Sequence, residues 1–240
     1  MTLSPTLAGR LLGLAIVFAG MLMVMGAPKA DPVAALQSSF DGAQGRISYT
    51  DAGAGALVVL VPGTDAPQAE FRYVVPQLVE NGFRVVTLTT APLADSSSSS
   101  ARASALGADI VELIRQLNAG PAYLTGSAAA AGAVAWATAV APQEVRGLVL
   151  LGPSLAETAQ APVPNMRTLI LMGESDPAFA APKVEAAAVA RLLNGQVQIV
   201  AKAGGLPHVD APATVGPAID RKSTRLNSSH SQQSRMPSSA

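Results

Sequence analysis

The chain has no cysteine among its 240 residues. That excludes disulfides, catalytic thiolates and zinc–thiolate sites, although it does not fix the compartment. Histidine is nearly as scarce, with only His208 and His230 present. Aromatic residues make up 4% and charged residues 13% of the chain. No basic run or patch occurs, so nucleic acid is not an expected partner. The formal charge of zero conceals an asymmetry. Arg221, Lys222, Arg225 and Arg235 are four of the 16 basic residues, and Asp220 is one of the 16 acidic ones. Without them 12 bases face 15 acids, a balance of −3 for the chain before Asp220.

What the chain has in quantity is Ala, Val, Leu and Gly, concentrated between Leu36 and Ile219. That length is enough for one domain with a core of its own. The first 35 residues read differently. Leu11 to Ala27 is an apolar run without charge, preceded by Arg10. Its length falls between a signal-peptide core and a spanning helix. Cleavage after Ala27 or Ala30 is hindered by Pro28, and Val33-Ala34-Ala35 lies far from the apolar run. A cleaved signal and a retained anchor both stay open; in either case the body is expected to be exported, with the basic flank inside.

The last 21 residues form a third region. Seven of them are Ser, and the Ala, Gly and Val of the preceding chain nearly vanish. Asp220 to His230 resembles the translation of a common sequencing adapter. Ser234 to Ala240 resembles its continuation, and Ser231-Gln232-Gln233 fills the place of a sample index. On that reading residues 220–240 are a non-native polar tail, expected to be disordered, and the domain is truncated at its C-terminal end.

Between the two ends, short apolar runs alternate with longer helical ones. Strands are predicted at Arg46–Thr50, Leu57–Val61, Phe83–Leu88, Ala122–Thr125, Gly147–Leu151, Thr168–Met172 and Gln196–Ala201. A turn is predicted over Asp51–Gly55 and a solvated loop over Ser96–Ser100. Helices are predicted at Phe71–Glu80, Ala103–Leu117, about Ala129–Ala139 and Lys183–Leu193. The second carries Leu106, Ile110, Val111, Leu113, Ile114 and Leu117 at helical spacing. Alternation of this kind predicts an α/β architecture, a mostly parallel central sheet with helices on both faces. The segment from Gly152 to Arg167 is too short for a cap domain.

One stretch frames chemistry. Ala122 to Gly132 reads as a buried strand, a sharp turn of small residues and a helix start. That is the frame of a nucleophile elbow, which places its nucleophile two residues after the first glycine. Counting from Gly126, the slot holds Ala128. A register shifted by one would present Ser127 instead, flanked by the β-branched Thr125. The plainer role for Ser127 is a hydroxyl cap on the helix that follows.

From Gly45 to Pro212 the chain resembles the α/β-hydrolase superfamily. Gly45–Gly53 is similar to its opening hairpin, and Leu57–Gly63 to the strand that ends in His-Gly, here Pro62-Gly63. Arg146–Pro153 resembles the strand after the elbow. Leu169–Pro177 resembles the acid loop, with Asp176 in the acid position. Ala203–Pro212 resembles the histidine loop, where the first histidine position is Gly205 and the second is His208. The resemblance implies the α/β-hydrolase fold and a site made of Ala128, Asp176 and Gly205.

A working triad needs an oxygen nucleophile, an imidazole and an orienting carboxylate. Only the carboxylate is present at its implied position. Loss of one triad member costs roughly 10⁴ to 10⁶ in rate, so family-style turnover is not expected. The backbone amides of Thr64 and Ala129 stand where the family builds its oxyanion hole, and such a pair can hold an anion or a carbonyl without chemistry. The expected function is therefore a catalytically inactive, exported domain with a binding or scaffold role at the cell envelope. A small-molecule or acyl ligand is its partner class, residues 11–27 attach it to a membrane if retained, and no metal or cofactor is expected. The alternative is a serine ester hydrolase that uses Ser127, His208 and Asp176 in shifted registers. Outside that scheme His208 would be a structural histidine bonded to backbone, Asp176 a solvated or backbone-bonded loop carboxylate, Glu174 a structural partner in the same loop, and Trp136 core.

Overall fold

The computed structural model describes residues 35–42, 45–63, 67–89, 98–153, 166, 168–176 and 195–221. Eight strands form one sheet: β1 (Ala35–Gly42), β2 (Gly45–Gly53), β3 (Ala56–Val61), β4 (Phe83–Leu88), β5 (Ala122–Ser127), β6 (Val145–Leu151), β7 (Thr168–Gly173) and β8 (Gly195–Val200). Their order across the sheet is β1-β2-β4-β3-β5-β6-β7-β8. The hairpin β1–β2 and the pair β2–β4 are antiparallel. Every other neighbouring pair is parallel. After β3 the chain first moves outward to β4, then returns to place β5 on the other side of β3. The carboxyl ends of β3 and β5 are thus a topological switch point, where an open α/β sheet forms its crevice.

Burial explains why these runs are strands. All of Leu57–Val61 is at most 1% exposed, as expected of a central parallel strand covered on both faces. Alternate residues serve opposite faces. Leu57, Val59 and Val61 belong to one core with Ile110, Leu113, Ile114, Ala131 and Val134. Val58 and Leu60 belong to a second with Phe71, Val74, Leu78, Val215 and Ile219. The first core lies under helices α3 (Ser99–Leu117) and α4 (Ala131–Val140). The second lies under α2 (Val74–Glu80) and the helix over 212–221, with the short turns α1 (Pro67–Glu70) and Pro207–Asp210 beside the site. Helix α3 begins at a serine cap, Ser98 Oγ accepting from the Ala101 amide at 3.2 Å, and ends at Asn118 in the left-handed region. Helix α4 is apolar almost all round. It packs on β5 and β6 and against α3, and Trp136 is half-buried against Gly107 of α3.

Several expectations need correction. Strand β1 was not anticipated, and Asp51–Gly53 is the end of β2 rather than a turn. The helix expected over Phe71–Glu80 begins at Val74, because Phe71–Tyr73 form a turn that lets Phe71 and Val74 both face the core. Ser99 and Ser100 lie in α3, not in a loop. Asp220 and Arg221, assigned to the tail, continue the helix over 212–221. The expected helix Lys183–Leu193, the apolar segment 11–27 and residues 222–240 of the tail lie outside the described residues. Among the described residues no helix is long and apolar enough to cross a membrane.

Candidate functional site

The site lies at the switch point. Strand β5 ends at Ser127 in extended conformation (φ −110°, ψ 150°), and the chain then bends sharply through Ala128 at φ 40°. A 3₁₀ turn over Ala128–Ala130 leads into α4. A non-glycine residue in the left-handed region costs about 1–2 kcal/mol, and such strain gathers where a side chain is held up for use. The bend is also crowded. A β-carbon on Gly126 would stand 2.4 Å from Val134 Cγ2, and one on Gly63 2.2 Å from the Ser127 carbonyl oxygen. Only glycine fits at either place. Ala128 is half-exposed at the apex, while Ser127 is 0% exposed.

The Ser127 hydroxyl does not cap the following helix. It accepts the Gly63 amide at 2.9 Å and donates to Glu70 Oε1. The same carboxylate oxygen takes His208 Nε2 at 3.1 Å. Glu70 therefore bridges Ser127 and His208, and all three are buried, at 3%, 0% and 0% exposure. The His208 ring stacks on Phe71, with centroids 5.0 Å apart and planes at 25°, and its Nδ1 finds no hydrogen-bond partner among the described residues. His208 is thus held by a side chain, not by backbone. Glu70 was not singled out from the sequence. Its one signal was a carboxylate inside the run Ala69-Glu70-Phe71 ahead of an apolar segment.

Asp176 follows β7 and is 5% exposed, so it is not a solvated loop residue. Its oxygens lie 3.5 Å from where a β-carbon on Gly205 would stand. The two loops that carry these residues are tied by the Ser175 amide to the Ala203 carbonyl at 2.8 Å and the Glu174 amide to the Val200 carbonyl at 3.0 Å. Glu174 Oε2 also accepts the Lys202 amide at 3.2 Å, which makes it a loop partner. The Ala129 amide lies at the start of the turn into α4, within 2.8 Å of the β-carbon position of Gly63. Thr64, its proposed companion, lies outside the described residues. The structure thus brings Ser127 and His208 together on Glu70, and sets Asp176 against Gly205. Among the described residues no three His, Asp or Glu side chains are grouped to hold a metal.

No family model and no curated protein matches the sequence. Solved structures do match the fold. A predicted CIB-like hydrolase from Thermoplasma acidophilum superposes with a TM-score of 0.65 at 15% identity, over 78% of this chain and 97% of its own. Carboxylesterase CesB of Bacillus subtilis gives 0.66 at 12% identity, over 80% and 92%. A membrane phospholipase A, described as a bacterial virulence factor, gives 0.66 at 15% identity, over 94% and 99%. The chain has the α/β-hydrolase fold. At these identities the likeness speaks for the fold, and function has to be argued from the site.

Proposed function

We propose that this chain is a non-catalytic α/β-hydrolase-fold domain with a binding or scaffold role at the cell envelope. One observation carries the loss of catalysis: the strained, half-exposed apex of the strand-to-helix bend is Ala128. A methyl group has no lone pair with which to attack a carbonyl. The carboxylate that would orient a base, Asp176, faces Gly205, which has no ring to orient. What remains is a crevice with the Ala129 amide at a helix start and a buried carboxylate. That set supports holding a small-molecule or acyl ligand without turning it over. Export rests on the apolar run at 11–27, and membrane attachment requires that this run be retained. Deleting residues 1–35 should release the body from membranes if it is.

A fluorophosphonate probe tests the catalytic part. The full chain should remain unlabelled under conditions that label an active serine hydrolase. Labelling that disappears in Ser127→Ala would overturn the proposal in favour of the second reading, a serine ester hydrolase. That reading draws on the contact of Ser127 and His208 with a common carboxylate. It would need Glu70 in the place given to Asp176, and a nucleophile that is 0% exposed would have to become accessible.

A further inference from the structure

Strand β1 is one edge of the sheet, and among the described residues it pairs only with β2. An open edge presents a row of backbone donors and acceptors to any other strand, so edges are normally guarded by shortness, Lys, Pro or a bulge. Strand β1 has none of these. It is eight residues long, Ala-Leu-Gln-Ser-Ser-Phe-Asp-Gly, with neither Lys nor Pro. Its register with β2 runs from Ala35↔Ala52 to Gly42↔Gly45 without a shift. Its one charge, Asp41, is already held by Arg46 of β2 at 3.0 Å. Residues Ala35 to Ser39 are all exposed. Leu36, at 74%, is the most exposed large hydrophobic side chain among the described residues.

We infer that β1 is a pairing surface for β1 of a second copy of this chain, antiparallel, with the two-fold axis at Ser38. The strand is self-complementary about that residue. Side chains alternate between faces, so Leu36, Ser38 and Phe40 share one. An antiparallel pair centred on Ser38 sets Ser38 opposite Ser38, and Leu36 opposite Phe40 of the second copy, twice by symmetry. Phe40 is 6% exposed and lies in the core with Ile47 and Ile110. Directly opposed side chains have β-carbons about 4.5–5.5 Å apart, so Leu36 continues that core past the edge instead of standing in water. On the other face Gln37 meets Ser39, a polar pair. Asp41 falls opposite Ala35, so no like charges oppose each other. Moving the axis to Gln37 or Ser39 would set Leu36 against Ser38 or Gly42 and lose the apolar pair.

The chain has no cysteine, so single introduced cysteines report the contact. Opposed residues of an antiparallel pair have Cα atoms about 4.5–5.5 Å apart, within disulfide reach. Ser38→Cys in the detergent-solubilised full chain should form a covalent dimer under mild oxidation. Ser48→Cys, exposed on β2 one strand in from the edge, should not. Equal cross-linking of the two, or none of Ser38→Cys, would overturn the inference. Charge gives an independent readout by analytical ultracentrifugation. The wild-type chain should dimerise. Ser38→Lys and Ser38→Glu each put like charges face to face across the axis, and should weaken the dimer by about threefold or more. An equimolar mixture of the two variants should restore it. Ser38 is exposed, so these variants should fold. A monomeric wild-type chain, unchanged dimerisation in both charge variants, or a mixture as weak as its components would overturn the pairing at Ser38.

Discussion

Asp176 and Gly205 face each other across 3.5 Å, measured from each carboxylate oxygen to the point where a side chain on Gly205 would begin. A histidine at 205 would therefore start in van der Waals contact with its orienting carboxylate. At the other end of the site, Ala128 already occupies the left-handed apex of the bend. We expect the two positions to meet, and a hydroxyl at 128 and an imidazole at 205 to be what this site lacks for turnover. The double variant Ala128→Ser/Gly205→His should hydrolyse p-nitrophenyl acetate at least about 100-fold faster than the wild-type chain, while each single variant stays near the wild-type rate. The parts of a triad act as a unit, and one alone gains little. A double variant no faster than Ala128→Ser would show that the two positions do not meet.

The strain at Ala128 can be read without any activity. Glycine reaches φ 40° with no β-carbon penalty, whereas alanine pays about 1–2 kcal/mol there. Glycine also loses more entropy on folding, by roughly 0.5–1 kcal/mol. Ala128→Gly is therefore expected to raise stability by about 0.5–1 kcal/mol in urea denaturation. Ala131→Gly, at a residue of α4 with φ −57°, should lower it by about 1 kcal/mol. Equal losses in both variants would mean that Ala128 does not occupy the left-handed region.

How much of this was legible in the sequence differs by element, for physical reasons. Strands β3 to β7 announce themselves as apolar runs because that part of the sheet is covered on both faces, whereas β8, at the sheet edge, shows only Val197, Ile199 and Val200 among polar residues. Strand β1 does not announce itself: only Phe40 among its eight residues is buried, and its ladder to β2 does the work that burial does elsewhere. The end of β2 is disguised by Asp51 and Gly53. Asp51 is held there by the Arg84 guanidinium of β4, at 2.6 Å from Arg84 Nη2 to Asp51 Oδ2. The elbow frame was readable because close approach and strain restrict residue types locally. Glu70 was not, because its partners Ser127 and His208 are 57 and 138 positions away. No local pattern marks a carboxylate whose role depends on contacts of that range.

Glu70 is expected to matter for stability. It joins the end of the β3 crossover, the elbow and the last loop through one buried oxygen. Removing the carboxylate leaves the buried Ser127 hydroxyl and His208 Nε2 without this partner, at a cost of about 1–3 kcal/mol for each group left unsatisfied. Glu70→Ala should lose that much in urea unfolding. Glu70→Gln, whose amide can still bond the hydroxyl or the ring, should lose less. In a double-mutant cycle with His208→Ala, a coupling of about 0.5–3 kcal/mol is expected for residues in one network. Additive losses would mean that Glu70 and His208 are not joined in solution.

Tyr123 supplies a pH dependence with a definite sign. Its ring is 2% exposed on β5 and meets Phe83 edge-on at 6.4 Å between centroids. Burial raises the phenol above its ordinary value of 10.0, and the Arg146 guanidinium, 5.9 Å from the ring centroid, offsets part of that rise. Below the ordinary value both the folded and unfolded chains keep the proton, and the stabilisation is fully present. Above it the unfolded chain releases the proton first, so stability falls as the pH climbs toward the folded-state value. Urea midpoints measured from about pH 8 to pH 11 should decline for the wild-type chain beyond pH 10. Tyr123→Phe keeps the ring and its contact with Phe83 but has no proton to lose, so its decline over the same range should be shallower. Parallel curves for the two proteins would assign the alkaline loss to other groups and remove Tyr123 from the account.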